Sequence, residues 1–176
     1  MQIVNSTYKK HLFVDARDFA STMTDKLEFN IFFSKTNQLS LTFPPFEKVK
    51  QAELKAISFP KMNNDDIYFI FDVYELNGRL NSSDNNGSHD SFAVIYYDNS
   101  AMPAGTIRPM KGKDFDEKVV TFDPVEHSLG RLSVKFKKYG GEIISISDID
   151  PSINDMNAFL EKYNISFMIE FTCQRY

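Results

Sequence analysis

ISFMIEFTC, residues Ile165–Cys173, is the stretch that decides the fold. Phe167, Ile169, Phe171 and Cys173 alternate with Ser166, Met168, Glu170 and Thr172. A period of two puts the first set on one face of a β-strand and the second on the other. It is the strongest period-2 signal in the chain, and it places Cys173 as a small buried hydrophobe.

Working back from it, Pro151–Tyr163 carries Ile153, Met156, Phe159, Leu160 and Tyr163 at spacings that suit one short amphipathic helix. Leu132, Val134 and Phe136 alternate with Ser133, Lys135 and Lys137, and Tyr139–Gly140–Gly141 reads as a tight turn into Glu142–Asp148, a hairpin. Val119–Asp123 is a short strand stopped by Pro124. Residues 99–118 have no periodicity and carry Pro103, Gly105, Pro109 and Gly112, so they read as a surface loop.

Ser91–Asp98 is a further strand, preceded by the loop-like NSSDNNGS of Asn81–Ser88. Ile67–Leu76 is apolar on both faces, which suits a strand covered on both sides or one lying at an interface. Val49–Phe59, Leu39–Phe43 and Leu27–Phe33 complete the set. The alternating Lys48, Lys50 and Lys55, like Arg131, Lys135 and Lys137, mark solvated strand faces. Strands at this density over roughly 150 residues point to a sandwich of two four-stranded sheets. The expected fold is all-β: an eight-stranded, antiparallel single jelly-roll sandwich with at most one short helix before the last strand. Residues 27–176 form that domain. Residues 1–26 read as an N-terminal arm with a possible strand at His11–Val14, tied down by its own sheet edge or by a neighbouring subunit.

Composition sets outer bounds. The chain has 176 residues, 17 Phe, 8 Tyr and no Trp, enough for one core without metal or disulfide support. A net charge of −4 and a pI near 5.4 argue against a basic nucleic-acid-binding protein. One cysteine excludes an intramolecular disulfide. No apolar run approaches the ~20 residues of a membrane span. MQIVNSTYKK has no apolar core of a secretory signal, so a reducing, cytosol-like compartment is expected.

Reactive constellations do not emerge. His11, His89 and His127 lack ligand spacing, and His89–Asp90 and Glu126–His127 are the only close pairs. Asp84, Asn86 and Gly87 start like a calcium loop, but the position for its bidentate Glu is Ile95. The acid pairs Asp65–Asp66, Asp114/Asp116 and Asp148/Asp150 fall in expected loops. There is no phosphate loop or nucleophile elbow. Sequons at Asn5, Asn81, Asn86 and Asn164 read as chance in an Asn- and Ser-rich chain. The expectation is no enzyme, cofactor or metal.

One segment carries a further likeness. FDPVEHSLGRLSVKFKKYGGEIISI, residues Phe122–Ile146, resembles a pattern in penton and minor capsid proteins of virophages and related double-stranded DNA viruses of the double-jelly-roll lineage. There a Phe-x-Pro introduces a Leu-rich linker, an L-x-V-x-F strand, a Gly turn and another strand. The matching residues are Phe122, Pro124, Leu129, Leu132, Val134, Phe136, Gly140 and Gly141. ELKAISFPKMNN followed by YFIFDVYEL, and the closing SFMIEFTC, extend the likeness over roughly 50–173. The segment Ser152–Tyr163 departs from the short loop usual there.

The resemblance implies a single jelly roll standing at the fivefold vertices of an icosahedral virion as a homopentamer. It also implies contact with the major capsid protein, assembly in the host cytoplasm and no catalytic residues. A ring needs apolar surface on two different flanks, and Phe13, Phe19, Tyr68, Ile70 and Tyr74 are the candidates. The alternatives are a minor or cement capsid protein away from the vertices, or a carbohydrate- or receptor-binding β-sandwich, which exposed aromatics on one sheet face would favour.

Overall fold

The computed structural model describes residues 6–33, 42–43, 46–63, 68–77, 91–97, 107–111 and 119–175. In chain order the strands are β1 (Thr7–Asp15), β2 (Glu28–Phe33), β3 (Thr42–Phe43), β4 (Phe46–Pro60), β5 (Tyr68–Val73), β6 (Ala93–Tyr96), β7 (Ile107–Lys111), β8 (Val119–Leu129), β9 (Arg131–Lys137) and β10 (Ser166–Gln174). One short helix, α1 (Met156–Lys162), precedes β10, with Asp155 capping it through Oδ2, which accepts from the Ala158 amide at 2.8 Å.

Two sheets result. The first runs β1-β10-β4 and is finished by β7 and β8, which pair with successive parts of β4. The second runs β3-β2-β9-β5-β6. The pairs β1·β10, β2·β9, β4·β8 and β5·β6 are those of one long hairpin, and β10·β4 and β9·β5 roll it up on itself. That is the connectivity of a jelly roll. The all-β sandwich expected from the sequence is therefore present. Among the described residues its eight sheet positions are filled by nine strands, since β7 and β8 share one position, and β3 adds a two-residue strand parallel to β2 beyond them.

The segment before Leu27 is tied down by its own sheet edge, one of the two expected ways: β1 pairs with β10 along its whole length and Leu12 and Val14 enter the core. Three local expectations need correction. The 99–118 loop contains β7, which pairs with β4 in spite of Pro109 because it lies at the sheet's edge. β8 does not stop at Pro124. It bulges: Gln51 pairs with Thr121 and Val49 with Glu126, so four residues of β8 loop past one of β4. Finally, Glu142–Asp148 forms no hairpin strand. It touches β9 through the single bridge Lys137↔Ile143 and then coils into a 3-10 helix at Ile146–Asp148. There Ser145 and Asp148 satisfy each other's backbone in a capping box.

The interior is a relay of phenylalanines from both sheets. Phe59 of β4 stacks on Phe69 of β5 at 4.3 Å and on Phe136 of β9 at 4.9 Å. Phe71 contacts Phe136 at 5.3 Å and Phe167 of β10 at 4.9 Å. Phe29 continues the line to Phe19 at 4.8 Å. Such pairs contribute about 0.5–1.5 kcal/mol each beyond the area they bury. α1 closes one end of the roll by packing on the 3-10 helix Ala16–Thr22 that follows β1.

Candidate interaction surface

The outer face of the first sheet is organised around one buried carboxylate. Glu170 lies in phase with Ser166 and Met168, facing away from the core, yet is only 7% exposed. Lys9 Nζ donates to its Oε1 at 2.7 Å, His11 Nε2 lies 2.9 Å from its Oε2, and Lys55 Nζ is 3.7 Å away while also pairing with Glu53. The hydrogen bonds from Lys9 and His11, with the charge of Lys55, hold the Glu170 carboxyl below the usual carboxylate range against the pull of burial. Strand register explains the cluster: His11, Glu170 and Glu53 stand in one row across β1, β10 and β4.

The second sheet's outer face is a charge ladder. Lys137 pairs with Asp72, Lys135 approaches Glu28 at 3.9 Å, and Arg131 Nε reaches Glu75 at 3.2 Å. Glu75 also accepts from the Ser133 amide at 2.6 Å. The Arg131, Lys135 and Lys137 alternation read from sequence is thus a solvated face whose cations are paired. A cavity of about 280 Å³ opens between β2 and β9, lined among others by Glu28, Asn30, Phe32 and Lys135. At the far end Tyr68 meets Tyr96 and Tyr139, each at 5.8 Å between ring centres.

The remaining polar candidates are structural. Asp148 is pushed up by burial, but hydrogen bonds from Lys138 and Ser145 outweigh that and lower its pKa. Asp150 is held far below the carboxylate range, first by Lys162, then by Ser152 and Tyr163. His127 is exposed and His11 belongs to the Glu170 cluster. His89, the Asp84–Asn86–Gly87 turn, Asp65–Asp66 and Asp114/Asp116 lie outside the described residues. Among the described residues, no group of three or more His, Cys, Asp or Glu converges as a metal site would require. Nor is any helix there long and apolar enough to cross a membrane.

The five expected contact residues divide. Phe13 is 61% exposed and Tyr74 73%, and Tyr68 is half-buried in the tyrosine cluster. Phe19 is buried against Phe29, and Ile70 is fully enclosed in the central strand β5. Neither of these last two offers surface. Exposed apolar residues that sequence reasoning passed over are Phe32, Tyr96, Val119 and Tyr139. Phe32 had a signal: it shares the polar phase of β2 with Glu28 and Asn30. Val119 had none, since Val119–Val120 fits either face.

No protein-family model and no curated protein matches the chain. Among solved structures it is similar to that of the infectious bursal disease virus Gx strain, at 12% identity and a TM-score of 0.35, over 94% of this chain and 33% of that one. It is also similar to a mutant VP2 protein of infectious bursal disease virus in derived T=1 particles, at 9% identity and a TM-score of 0.30, over 95% of this chain and 41% of that one. The chain spans less than half the length of either.

Proposed function

We propose that this protein is a structural component of an icosahedral virion: a penton that stands as a homopentamer at the fivefold vertices and contacts the major capsid protein, assembled in the host cytoplasm. The observation that carries this reading is where apolar surface is left uncovered. Phe13 and Phe32 belong to β1, which ends the first sheet, and β2, which has only the two-residue β3 beyond it in the second. Tyr96 and Val119 belong to β6 and β8, at the other end, and all four are more than 40% exposed. A head-to-tail ring requires two different sticky flanks on one subunit, and a two-fold dimer requires only one. The resemblance of Phe122–Ile146 to penton proteins supports the same role.

Native mass spectrometry and negative-stain imaging of the recombinant protein test it. Rings of five are expected, and a monomer at every concentration overturns the proposal. The tyrosine cluster favours a second reading, a carbohydrate-binding sandwich, because exposed aromatic rings stack on sugar faces. Glycan-array binding abolished by Tyr96→Ala, together with a monomeric protein, would select it.

A further inference from the structure

We infer that β1 and β8, strands on opposite edges of the first sheet, form the seam between one copy of this chain and the next. The inference rests on the ring proposed above and names the surfaces that close it. Among the described residues β1 pairs only with β10, and β8 only with β4, so each has one edge of backbone N–H and C=O groups facing no strand. Edge strands are normally blunted by bulges, proline or inward charge. β1 has none of the first two: its nine residues pair with β10 in unbroken register. β8 carries both at Phe122–Val125, which leaves Val119–Thr121 as its regular edge.

Strand direction permits closure. The steps β1 to β10, β10 to β4 and β4 to β8 are all antiparallel, so β1 and β8 run in opposite senses. Rotation about an axis lying along the strands leaves their directions unchanged. It therefore sets β1 of one copy antiparallel to β8 of the next, identically at every step around a ring. The rows also match: His11, Glu170, Glu53 and Val119 lie in one register line, which His11 ends at one edge and Val119 at the other.

Charge is complementary across this seam. β1 presents exposed Lys9 and His11 on its outer face, both also held by Glu170, and half-buried Lys10 on its inner face; β8 presents exposed Asp123 and Glu126. Lys10 lies over the rings of Tyr8 and Phe46, and among the described residues no carboxylate pairs with it. Each edge adds one exposed apolar residue, Phe13 on β1 and Val119 on β8. Facing charges of opposite sign fix the register of such a contact and disfavour joining like edges.

Charge reversal at each edge, alone and combined, tests the seam. In native mass spectrometry over a concentration series, Lys10→Glu and Glu126→Lys should each raise the half-assembly concentration at least about tenfold. The two together in one chain should restore it to within about threefold of the unmodified protein. Hydrogen exchange of the unmodified protein should show β1 and β8 amides gaining protection on assembly, with β6 amides unchanged. Circular dichroism of each variant checks folding; should one fail to fold, Phe13→Ser or Val119→Ser replaces it and the exchange experiment decides. Rings indifferent to both reversals, or a double variant no better than the singles, overturn the seam and leave the pentamer standing. An unmodified chain that never assembles overturns both.

Discussion

β10 and β1 lie side by side, are each nine residues long and pair without a break, yet they do opposite work. β10 sits inside its sheet, with Phe167, Ile169, Phe171 and Cys173 in the core and even its outward Glu170 covered. β1 closes the sheet on one side only, and sends Lys9, His11 and Phe13 outward. An interior strand must satisfy two neighbours and a core at once, so its composition is dictated. An edge strand answers to one neighbour, which frees the rest of its surface for something outside the subunit.

The largest test of this contrast is Phe167→Ala. The ring is 2% exposed and packs on Phe29 and Phe71, so its removal leaves a cavity between the sheets. A loss of about 3–5 kcal/mol is expected in urea unfolding. A loss under about 1 kcal/mol would mean that β10 is no more dictated than its neighbour.

Glu170→Gln probes the join between the two strands, since Lys9 and His11 of β1 reach across to Glu170 of β10. A loss of about 1–2 kcal/mol at neutral pH is expected, because the partners are half-exposed while the carboxylate is not. The sign of its pH dependence follows from linkage. The folded carboxyl lies below its ordinary 4.5, so in the interval between the two values the unfolded chain binds more protons. Its contribution is fully present above about pH 5 and fades as pH falls through the folded value. Urea midpoints measured between pH 3 and 7 should therefore slope less steeply in the Gln variant than in the unmodified protein.

Asp155→Ala acts one step further out. α1 joins β10 to the 3-10 helix that follows β1, and Ala16 N donates to Ile165 O at 2.9 Å to tie the two strands' ends. Losing the cap should cost about 1 kcal/mol in thermal or urea unfolding. Exchange protection should fall first at Val14–Ala16 if α1 holds the β1 end in register.

What was legible in the sequence follows the same division. β10, β9 and β2 alternate cleanly because both of their faces are decided by the fold, and the helix before β10 was visible in the spacing of Met156, Phe159 and Leu160. The jelly-roll class was thus readable from strands that sit inside the sheets. Of β1 only His11–Val14 was readable, because Lys10 takes an inward phase and Phe13, between the core residues Leu12 and Val14, an outward one, which blurs the alternation. β7 was hidden by Pro109, and the second half of β8 by a proline that the chain absorbs as a bulge. The surface was less legible: Phe13 and Tyr74 are exposed, whereas Phe19 packs in the core and Ile70, in the outward phase of β5 with Tyr68 and Asp72, is covered there, because hydrophobicity alone does not say which strand positions stay open.

The smallest expected effect on the folded subunit is that of Phe13→Ser. Phe13 is 61% exposed beside Met168, and truncating it removes little packing, so unfolding should shift by less than about 0.5 kcal/mol. Were β1 merely an imperfect core strand, that near-neutral result would be the whole story and the variant would behave as the unmodified protein in every assay. Were it an assembly edge, the same substitution would leave the melting curve of the monomer unchanged and raise the concentration needed for assembly. Measuring unfolding and oligomer mass on one preparation separates the two, because an exposed ring kept for a neighbour costs nothing until the neighbour is present.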